Sequence, residues 1–283
     1  MTSASVNDDL LRRAKDGDLV ALEQLLRAVQ DTVYNLAVRM LGQRDDAQDA
    51  TQEVLLKITT HLSSFRGDSA FSTWVYRIAS NHLLTARMRA KESPIVSFDD
   101  FAAKLEQGRA FSAALDGWDS SRPLQPDEKL AARRMAVTCT QAMLSCLDRP
   151  HRLAYVLAVI VGLEHDDAAA VQQISPAAHR KRLSRARTAL HDFMQRHCGL
   201  VSAAAPCRCA HQIPAAADAR RRGKLPLLVV TDGELDAAEQ GLRELQHLGD
   251  AAAVMRGAPA YATPEAMVQG IRAVIERSAF LHH

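Results

Sequence analysis

The sequence predicts an all-α protein with two helical domains joined by a linker and a small, mainly helical extension at the C-terminus. Ala and Leu dominate its 283 residues, while aromatic residues contribute only 5%, which favours helices over sheets. Apolar residues recur at three-and-four spacing, and Ser, Gly and Pro stand where such patterns begin or end. With 47% hydrophobic residues, the chain can bury more than one core.

The first predicted domain, residues 1–92, contains four amphipathic patterns. Two lie within residues 9–41, where Gly17 and Gly42 interrupt the helical pattern. A third runs from about residue 45 to residue 62, and a fourth follows the loop SSFRGDSA, where Ser72 can cap the helix start. The outer side of the third pattern carries polar residues at helical spacing. This polar stripe consists of Asp49, Gln52 and Glu53, with Leu56 continuing it.

A linker is predicted at residues 93–127, because helical periodicity weakens there. Glycine and proline interrupt the segment, and acidic residues outnumber basic ones. Helical pattern resumes in a second domain at residues 128–197. This domain is predicted to end in two short helices, at 164–172 and 176–195.

The last of these helices concentrates positive charge in a chain whose formal net charge is only +2. Ser175 followed by Pro176 is a strong helix start, because the hydroxyl caps free amides and proline needs no amide partner there. At about 100° per residue, Leu183 and other apolar residues face inward, while cations and small polar residues face outward. A short helix, a turn and a cationic second helix predict a helix-turn-helix that reads the DNA major groove.

The side chains predicted to meet DNA occupy the outer face of this helix and its flanks. They are Ser175, Ala177, Arg180, Lys181, Arg182, Ser184, Arg185 and Arg187. The alternative is an ordinary solvated cationic surface. The Ser-Pro start, the short preceding helix and the one-sided charge together favour DNA binding. His179 falls on the inward side and is predicted to be a packed core residue.

Two stretches of the chain resemble conserved regions of bacterial RNA polymerase sigma factors of the extracytoplasmic-function (ECF) type. The second region of that family is similar to DDAQDATQEVLLKITTHLSSFRGDSAFSTWVYRIASN, and the fourth is similar to LDRPHRLAYVLAVIVGLEHDDAAAVQQISPAAHRKRLSRAR. The stretches occur in the family's order with a linker between them, and the resemblance covers most of residues 9–195. It implies a non-enzymatic protein that binds core RNA polymerase and directs promoter-specific initiation by recognising and melting promoter DNA.

The resemblance also implies a role for the polar stripe of the first domain. In the family, the positions of Asp49, Gln52 and Glu53 dock on a coiled coil of the largest polymerase subunit. A face rich in carboxylates suits a cationic partner helix. An ordinary solvated helix face is the alternative interpretation.

In the family, the loop matching residues 63–70 and the following helix hold the non-template strand of the minus-ten element. Single-stranded bases need aromatic surfaces and cations, and this region supplies both. Some of its aromatic side chains must belong to the core instead. We therefore assign strand contact to Arg77, Asn81 and His82, and recognition of the minus-thirty-five element to the helix-turn-helix.

The acidic linker has two interpretations. In the family, this segment runs through the active-site cleft and RNA exit channel of the polymerase, where acidic residues can mimic the charge of the transcript. A plain solvated linker accounts for the same composition.

This sequence departs from the family pattern at several positions. Thr85 and Met88 stand where the family places Asp and Arg, so promoter melting or minus-ten preference is expected to differ. In the helix-turn-helix, Ala168 and Gln172 replace aliphatic residues, and Gln173 replaces the turn glycine. We expect these replacements to lower the stability of this part of the chain.

The composition also suggests where the protein works. The first residues lack the apolar region of a secretory signal, and no stretch is long and apolar enough to span a membrane. We therefore expect a cytoplasmic protein without a membrane partner. Because that compartment keeps thiols reduced, the five cysteines are expected to be free thiols or metal ligands.

Three of those cysteines and a histidine lie close together in the sequence, which suggests a zinc site. The proposed ligands are Cys198, Cys207, Cys209 and His211, with His191 and His197 as substitutes. The spacing differs from that of common zinc modules, and isolated free thiols are the alternative. Cys139 and Cys146 are assigned to the core. No other cofactor is expected.

The C-terminal extension, residues 198–283, is absent from the minimal ECF architecture. Its amphipathic patterns near 234–248 and 264–280 must bury an apolar face. We hypothesise that it packs on the sigma domains and regulates them, replacing or supplementing a separate anti-sigma protein. A helix-turn-helix regulator that works without polymerase is the competing function, although it leaves residues 45–91 unexplained. A third possible function is that of an enzyme whose catalytic part is the C-terminal extension, but we find in it no combination of nucleophile, base and orienting group.

Overall fold

A computed structural model describes residues 6–85, 97–115 and 122–222 together with parts of the C-terminal extension. The described positions after 222 are 235, 251–257, 259–261, 263, 264, 267, 270, 271 and 273–275. Throughout these residues the ordered elements are helical, apart from an isolated bridge between Cys198 and Cys207. The all-α prediction is confirmed. No helix of the described chain is long and apolar enough to cross a lipid bilayer.

The helices of the two predicted domains lie close to where the sequence predicted them, whereas those at Phe98–Ala113, Ile213–Arg221 and Ala251–Arg256 were not predicted. The first are α1 (Asp8–Lys15), α2 (Leu19–Leu41), α3 (Arg44–His61), α4 (Phe71–Thr85) and α5 (Phe98–Ala113). Those that follow are α6 (Pro126–Ser145), α7 (Arg149–Tyr155, continued by a π-helix at Val156–Val161), α8 (His165–Val171), α9 (Pro176–His197), α10 (Ile213–Arg221) and α11 (Ala251–Arg256). A short 3-10 helix at Cys209–Gln212 precedes α10. The predicted patterns at 234–248 and 264–280 fall largely outside the described residues, as does Met88.

The chain divides into two compact units. The first consists of residues 1–89, 163–179 and 261–283. The second consists of residues 90–162 and 180–260. The predicted second domain therefore contributes to both units, and so does the C-terminal extension.

Helix α2 contacts α1, α3 and α4 in the first unit. The Asp18 side chain caps it by accepting hydrogen bonds from the amides of Val20 (2.9 Å) and Ala21 (3.1 Å). Gly42, in the left-handed conformation with φ 74°, ends it. The inner sides predicted for α2 and α3 are confirmed, and in α4 the buried side is that of Val75 and Ala79, whereas Trp74 is half-buried. Buried residues include Leu25, Leu26, Val29, Val33 and Leu36 of α2, Val54, Leu55 and Ile58 of α3, and Val75, Ala79 and Leu83 of α4.

The predicted linker contains helix α5, so the expectation of weak helical structure was wrong for this part of it. Ser97 and Asp100 form a capping box, in which the Ser97 hydroxyl accepts from the Asp100 amide at 3.0 Å. Gly108 lowered the helical signal of the sequence. Its physical role is close approach, because a Cβ there would lie 2.0 Å from Oε1 of Gln212. The Gln212 amide group also donates to the Leu105 carbonyl at 2.8 Å.

The turn between α8 and α9 contains two residues that depart from the family pattern. Gln173 has φ 53°, a left-handed conformation that favours glycine. The buried Gln172 amide donates to the Ala168 carbonyl (2.9 Å) and to Nδ1 of His179 (2.8 Å). A polar contact therefore joins the end of α8 to the first turn of α9. His179 is fully buried, which confirms its assignment to the core.

We expect Gln173→Gly to stabilise the protein, because glycine adopts the left-handed conformation without steric cost. The expected gain in the free energy of unfolding is about 1 kcal/mol, after part of the relief is offset by the greater chain entropy of glycine. Urea unfolding of the full chain, followed by circular dichroism, measures it as a higher denaturation midpoint. Gln173→Ala retains a Cβ and should show no such gain. A Gly variant no more stable than the Ala variant would contradict this account.

Candidate functional site

Helix α9 places apolar and cationic residues on opposite sides, as predicted. Leu183, Ala186, Leu190, Phe193 and Met194 are each at most 2% exposed. The opposite side is solvent-exposed at Ala177, Arg180, Lys181, Ser184, Arg185 and Arg187, while Arg182 is half-buried. The Ser175 hydroxyl accepts a hydrogen bond from the Ala178 amide at 3.2 Å, which confirms the predicted cap.

The cations of α9 are available for an external partner. Within the part of the chain that the structure describes, none of them forms an ion pair with a carboxylate. They are Arg180, Lys181, Arg182, Arg185 and Arg187. Binding a phosphate would therefore break no existing ion pair. One exposed helical face with unpaired guanidinium and ammonium groups can contact both base edges and phosphates in a major groove.

Aromatic packing in the second unit fixes the C-terminal half of α9. The Phe193 ring lies 5.6 Å from that of Phe101 and 5.1 Å from that of Phe98, both on α5. It also lies 4.7 Å from the His197 ring. The sequence analysis missed this support because it expected no helix at α5. The rotation of α9 about its axis, and hence the direction of its cationic side, is set by these contacts.

The aromatic residues before and within α4 form a cluster. The ring centroids of Phe65, Phe71 and Trp74 lie 5.4–5.5 Å apart. Phe65 is only 7% exposed, and the Lys15 ammonium lies 5.5 Å from its ring centroid. Phe65 therefore belongs to the core. Trp74 is partly exposed and keeps aromatic surface that a base could stack on.

The three residues of α4 assigned to strand contact differ in accessibility. Asn81 is exposed, whereas Arg77 and His82 are half-buried. Lys57 of α3 lies against His82, with Nζ 3.0 Å from Nδ1. Burial, and then the charge of Lys57, lower the pKa of His82, so its imidazole is neutral at neutral pH. The cation at this position is Lys57, which the sequence analysis did not single out.

The polar stripe of α3 lies on the outer side of that helix, as predicted. Asp49 and Glu53 are exposed, and Gln52 is half-buried. The other side of α3 is part of the buried core. The stripe therefore presents hydrogen-bond acceptors on a rigid helix, an arrangement that suits a cationic partner.

The cysteines of the extension lie around the bridge between Cys198 and Cys207. All five cysteines are free thiols. As they stand, no three Cys, His, Asp or Glu side chains of the described chain are grouped so that they could hold a metal ion. The carbonyl of His211 accepts a hydrogen bond from the Ser112 hydroxyl at 2.6 Å. Burial, and then the positive charge of Arg208, lower the pKa of the His211 imidazole. The zinc assignment stays a prediction.

The chain is similar in sequence to a known protein family and to several of its members. Residues 25–92 match the Sigma-70 region 2 family. The RNA polymerase sigma-H factor of Pseudomonas aeruginosa is 29% identical over 199 residues, which cover 69% of this chain and 97% of that protein. The ECF RNA polymerase sigma-E factor of Escherichia coli K12 is 31% identical over 199 residues, with the same coverage of 69% and 97%. A solved structure of CnrH in complex with the cytosolic domain of CnrY aligns at 24% identity and TM-score 0.44, over 67% of this chain and 97% of that chain.

These relatives are shorter than this chain, because nearly their whole length aligns with 69% of it. The region 2 match includes α3 and α4, which carry the polar stripe and the residues assigned to strand contact. The similarity to the sigma-E factor extends over almost all of that protein. The chain therefore belongs to the ECF family of RNA polymerase sigma factors, which direct transcription initiation.

Proposed function

We propose that this sigma factor binds core RNA polymerase through the polar stripe of α3 and reads promoter DNA with α9 and α4. The observation that carries the proposal is the unpaired cationic side of α9, held in place by a buried apolar side. Family membership favours this function over that of a regulator acting without polymerase, which would leave the stripe without a role. The protein would then act in the cytoplasm, where polymerase and promoters are.

Run-off transcription tests the role of the polymerase. Purified core polymerase, genomic DNA fragments and the full chain should yield defined transcript starts that share two upstream elements. Glu53→Lys should lower the transcript yield on the order of tenfold, because it places a cation opposite a cationic partner helix. The control Asp16→Lys reverses the charge at an exposed residue just after α1 and should leave the transcript yield unchanged. DNA binding without any starts would instead support a polymerase-independent regulator.

The outer face of α9 supports a division of labour between base and phosphate contacts. Lys181, Ser184 and Arg185 lie in the middle of the exposed face, where side chains can reach base edges. Arg180, Arg182 and Arg187 flank the buried side and suit phosphates, which fix position without reading sequence.

We expect Lys181→Ala and Arg185→Ala each to weaken binding of the holoenzyme to its promoters by about 1–3 kcal/mol, roughly fivefold to a hundredfold. Arg187→Ala should weaken binding to all sequences alike and lower the salt slope by about one. Filter binding to promoter and unrelated fragments at several salt concentrations measures both. Arg27→Ala is the control, since Arg27 pairs with Glu23 on α2 (2.8 Å). Equal losses on both kinds of DNA would contradict base reading by Lys181 and Arg185.

We also propose that the C-terminal extension regulates the sigma factor by docking on α2 in the first unit. The Asn35 side chain accepts from the Tyr261 amide at 2.7 Å and donates to the Tyr261 carbonyl at 3.0 Å. The Tyr261 ring is 2% exposed, with the Arg39 guanidinium 5.1 Å and the Arg44 guanidinium 5.9 Å from its centroid. Thr263 donates a hydrogen bond to Asp31.

This contact lies beside the helix that carries the polar stripe, because Arg44 is the first residue of α3. A docked extension is therefore expected to compete with polymerase for this neighbourhood. Such a contact would act as a built-in inhibitor, and a separate anti-sigma protein would be replaced or supplemented by it.

Asn35→Ala should release the extension and raise the yield of run-off transcripts. Losing two hydrogen bonds costs about 2 kcal/mol, which shifts the docking equilibrium on the order of thirtyfold. Faster proteolytic cleavage after residue 257 should accompany the rise. Gln24→Ala, an exposed change on the same helix, is the control. Unchanged yield and unchanged cleavage would contradict regulation by this contact.

A further inference from the structure

Four of the five cysteines meet in the second unit although one of them is remote in sequence. Cys139 lies on α6, Cys198 follows the end of α9, and Cys207 and Cys209 flank the start of the 3-10 helix. All four line one cavity of about 60 Å³, which His197 also lines. The sequence analysis paired Cys139 with Cys146 as core residues, and the structure instead places Cys139 with the cysteines of the extension.

The backbone that carries this cysteine cluster (Cys139, Cys198, Cys207 and Cys209) is firmly held. The Cys207 amide donates to the His197 carbonyl at 3.3 Å, and the Gly199 amide donates to the Cys207 carbonyl at 3.0 Å. The Cys198 carbonyl accepts from the amides of Val201 (3.1 Å) and Ser202 (3.0 Å). The Arg208 guanidinium donates to the Ala203 carbonyl at 2.8 Å and closes the intervening loop. Hydrogen bonds thus fix the backbone on both sides of Cys198 and Cys207.

The thiols influence one another electrostatically. Burial raises the pKa of Cys209 to about 12, and Cys198 and Cys207 add to that rise. Burial also raises the pKa of Cys139, and the other three thiols contribute to the shift. The four thiols therefore lie close enough to one another to interact across the cavity that they line.

The Gln212 side chain donates a hydrogen bond to the Cys207 sulfur at 3.5 Å, and Gln212 also lines the cavity. One further polar contact thus reaches the sulfur atoms from the 3-10 helix.

We infer that Cys139, Cys198, Cys207 and Cys209 bind one thiophilic d10 metal ion, Zn²⁺ or Cu⁺. The ligand set takes Cys139 in place of His211, which is not among the residues that line the cavity. The side chains are not grouped for a metal as they stand, so they rotate when the ion enters. Each thiol that becomes a ligand releases one proton to solvent, and Zn²⁺ with four thiolates leaves a site of net charge 2−.

The site would lock the extension to the second unit. Cys139 belongs to α6, whereas Cys207 and Cys209 lie a few residues before His211 and Gln212 in the extension. Those two residues contact α5, because the His211 carbonyl accepts a hydrogen bond from Ser112 and the Gln212 side chain donates one to the Leu105 carbonyl. A bound ion would therefore cross-link the start of the extension to α6 and strengthen its hold on α5. If the extension regulates the sigma factor, the bound metal would control transcription, and only this consequence rests on the proposed function.

Metal titration of the full-length reduced protein tests the site directly. Zn²⁺ competition against a chromophoric chelator and Cu⁺ competition against a cuprous chelator should reveal one ion per chain in at least one of the two titrations. The titration that succeeds identifies the metal. Co²⁺ should give intense sulfur-to-metal charge-transfer absorption if thiolates are the ligands. Failure of both Zn²⁺ and Cu⁺ to bind would overturn the inference, whatever the outcome of transcription assays.

Cys139→Ser separates this ligand set from the one predicted from sequence. Its metal affinity should fall at least on the order of tenfold, the loss that even outer-shell changes produce. Cys146→Ser, at the residue that follows α6, is the matched control, because that sulfur contacts the Ala142 carbonyl at 3.3 Å and does not line the cavity. His211→Ala should bind as the unmodified protein does. Unweakened binding by Cys139→Ser, or loss of binding in His211→Ala, would overturn the assignment.

Alkylation of the unmodified protein provides a readout that does not depend on the folding of any variant. Mass spectrometry after iodoacetamide treatment should show that metal slows modification of the four cluster cysteines and leaves the rate at Cys146 unchanged. Equal rates at Cys139 with and without metal would overturn its role as a ligand.

Discussion

The packing of the apolar side of α9 is the interaction on which the cationic surface of that helix depends. Phe193 packs against Phe98 and Phe101, and four further apolar residues of α9 are buried along the same side. Full burial of such a side chain contributes about 1.5–3 kcal/mol, far more than an exposed cation contributes to stability. The cations are thus held outward without ion pairs of their own. This separation lets one helix be stable and still present unpaired cations, as the proposed contact with promoter DNA requires.

Helix α5 links that surface to the C-terminal extension. One side of α5 supports Phe193, and its backbone accepts from Gln212 where Gly108 leaves room. A segment that is a connection in the family resemblance is here a packed element of the second unit. The extension therefore has a structural role in this unit as well as the proposed regulatory one, and the cysteine cluster lies where α6, the end of α9 and the extension meet.

The helix-turn-helix offsets part of one departure from the family pattern. A buried glutamine would be costly without partners, and the Gln172 side-chain nitrogen donates to Ala168 and to His179, whereas its side-chain oxygen is buried without a hydrogen bond among the described residues. Replacing an aliphatic residue thus exchanged apolar packing for a buried polar contact that joins α8 to α9. Gln173 has no comparable compensation for its left-handed conformation among the contacts of the described residues.

The sequence alone determined the helical class, the Ser175 cap, and the inner and outer sides of α3 and α9, because periodicity and capping act within a few residues. Ser72, which was predicted to cap α4, lies inside that helix, since α4 begins at Phe71. It also indicated the polar stripe and the cationic face, which are single-helix properties. Tertiary structure decided that Phe65 is core, that Lys57 accompanies His82, and that α5 is a packed helix. It also brought Cys139 to cysteines about sixty residues away. Such pairings depend on which helices meet, and no local pattern encodes that contact.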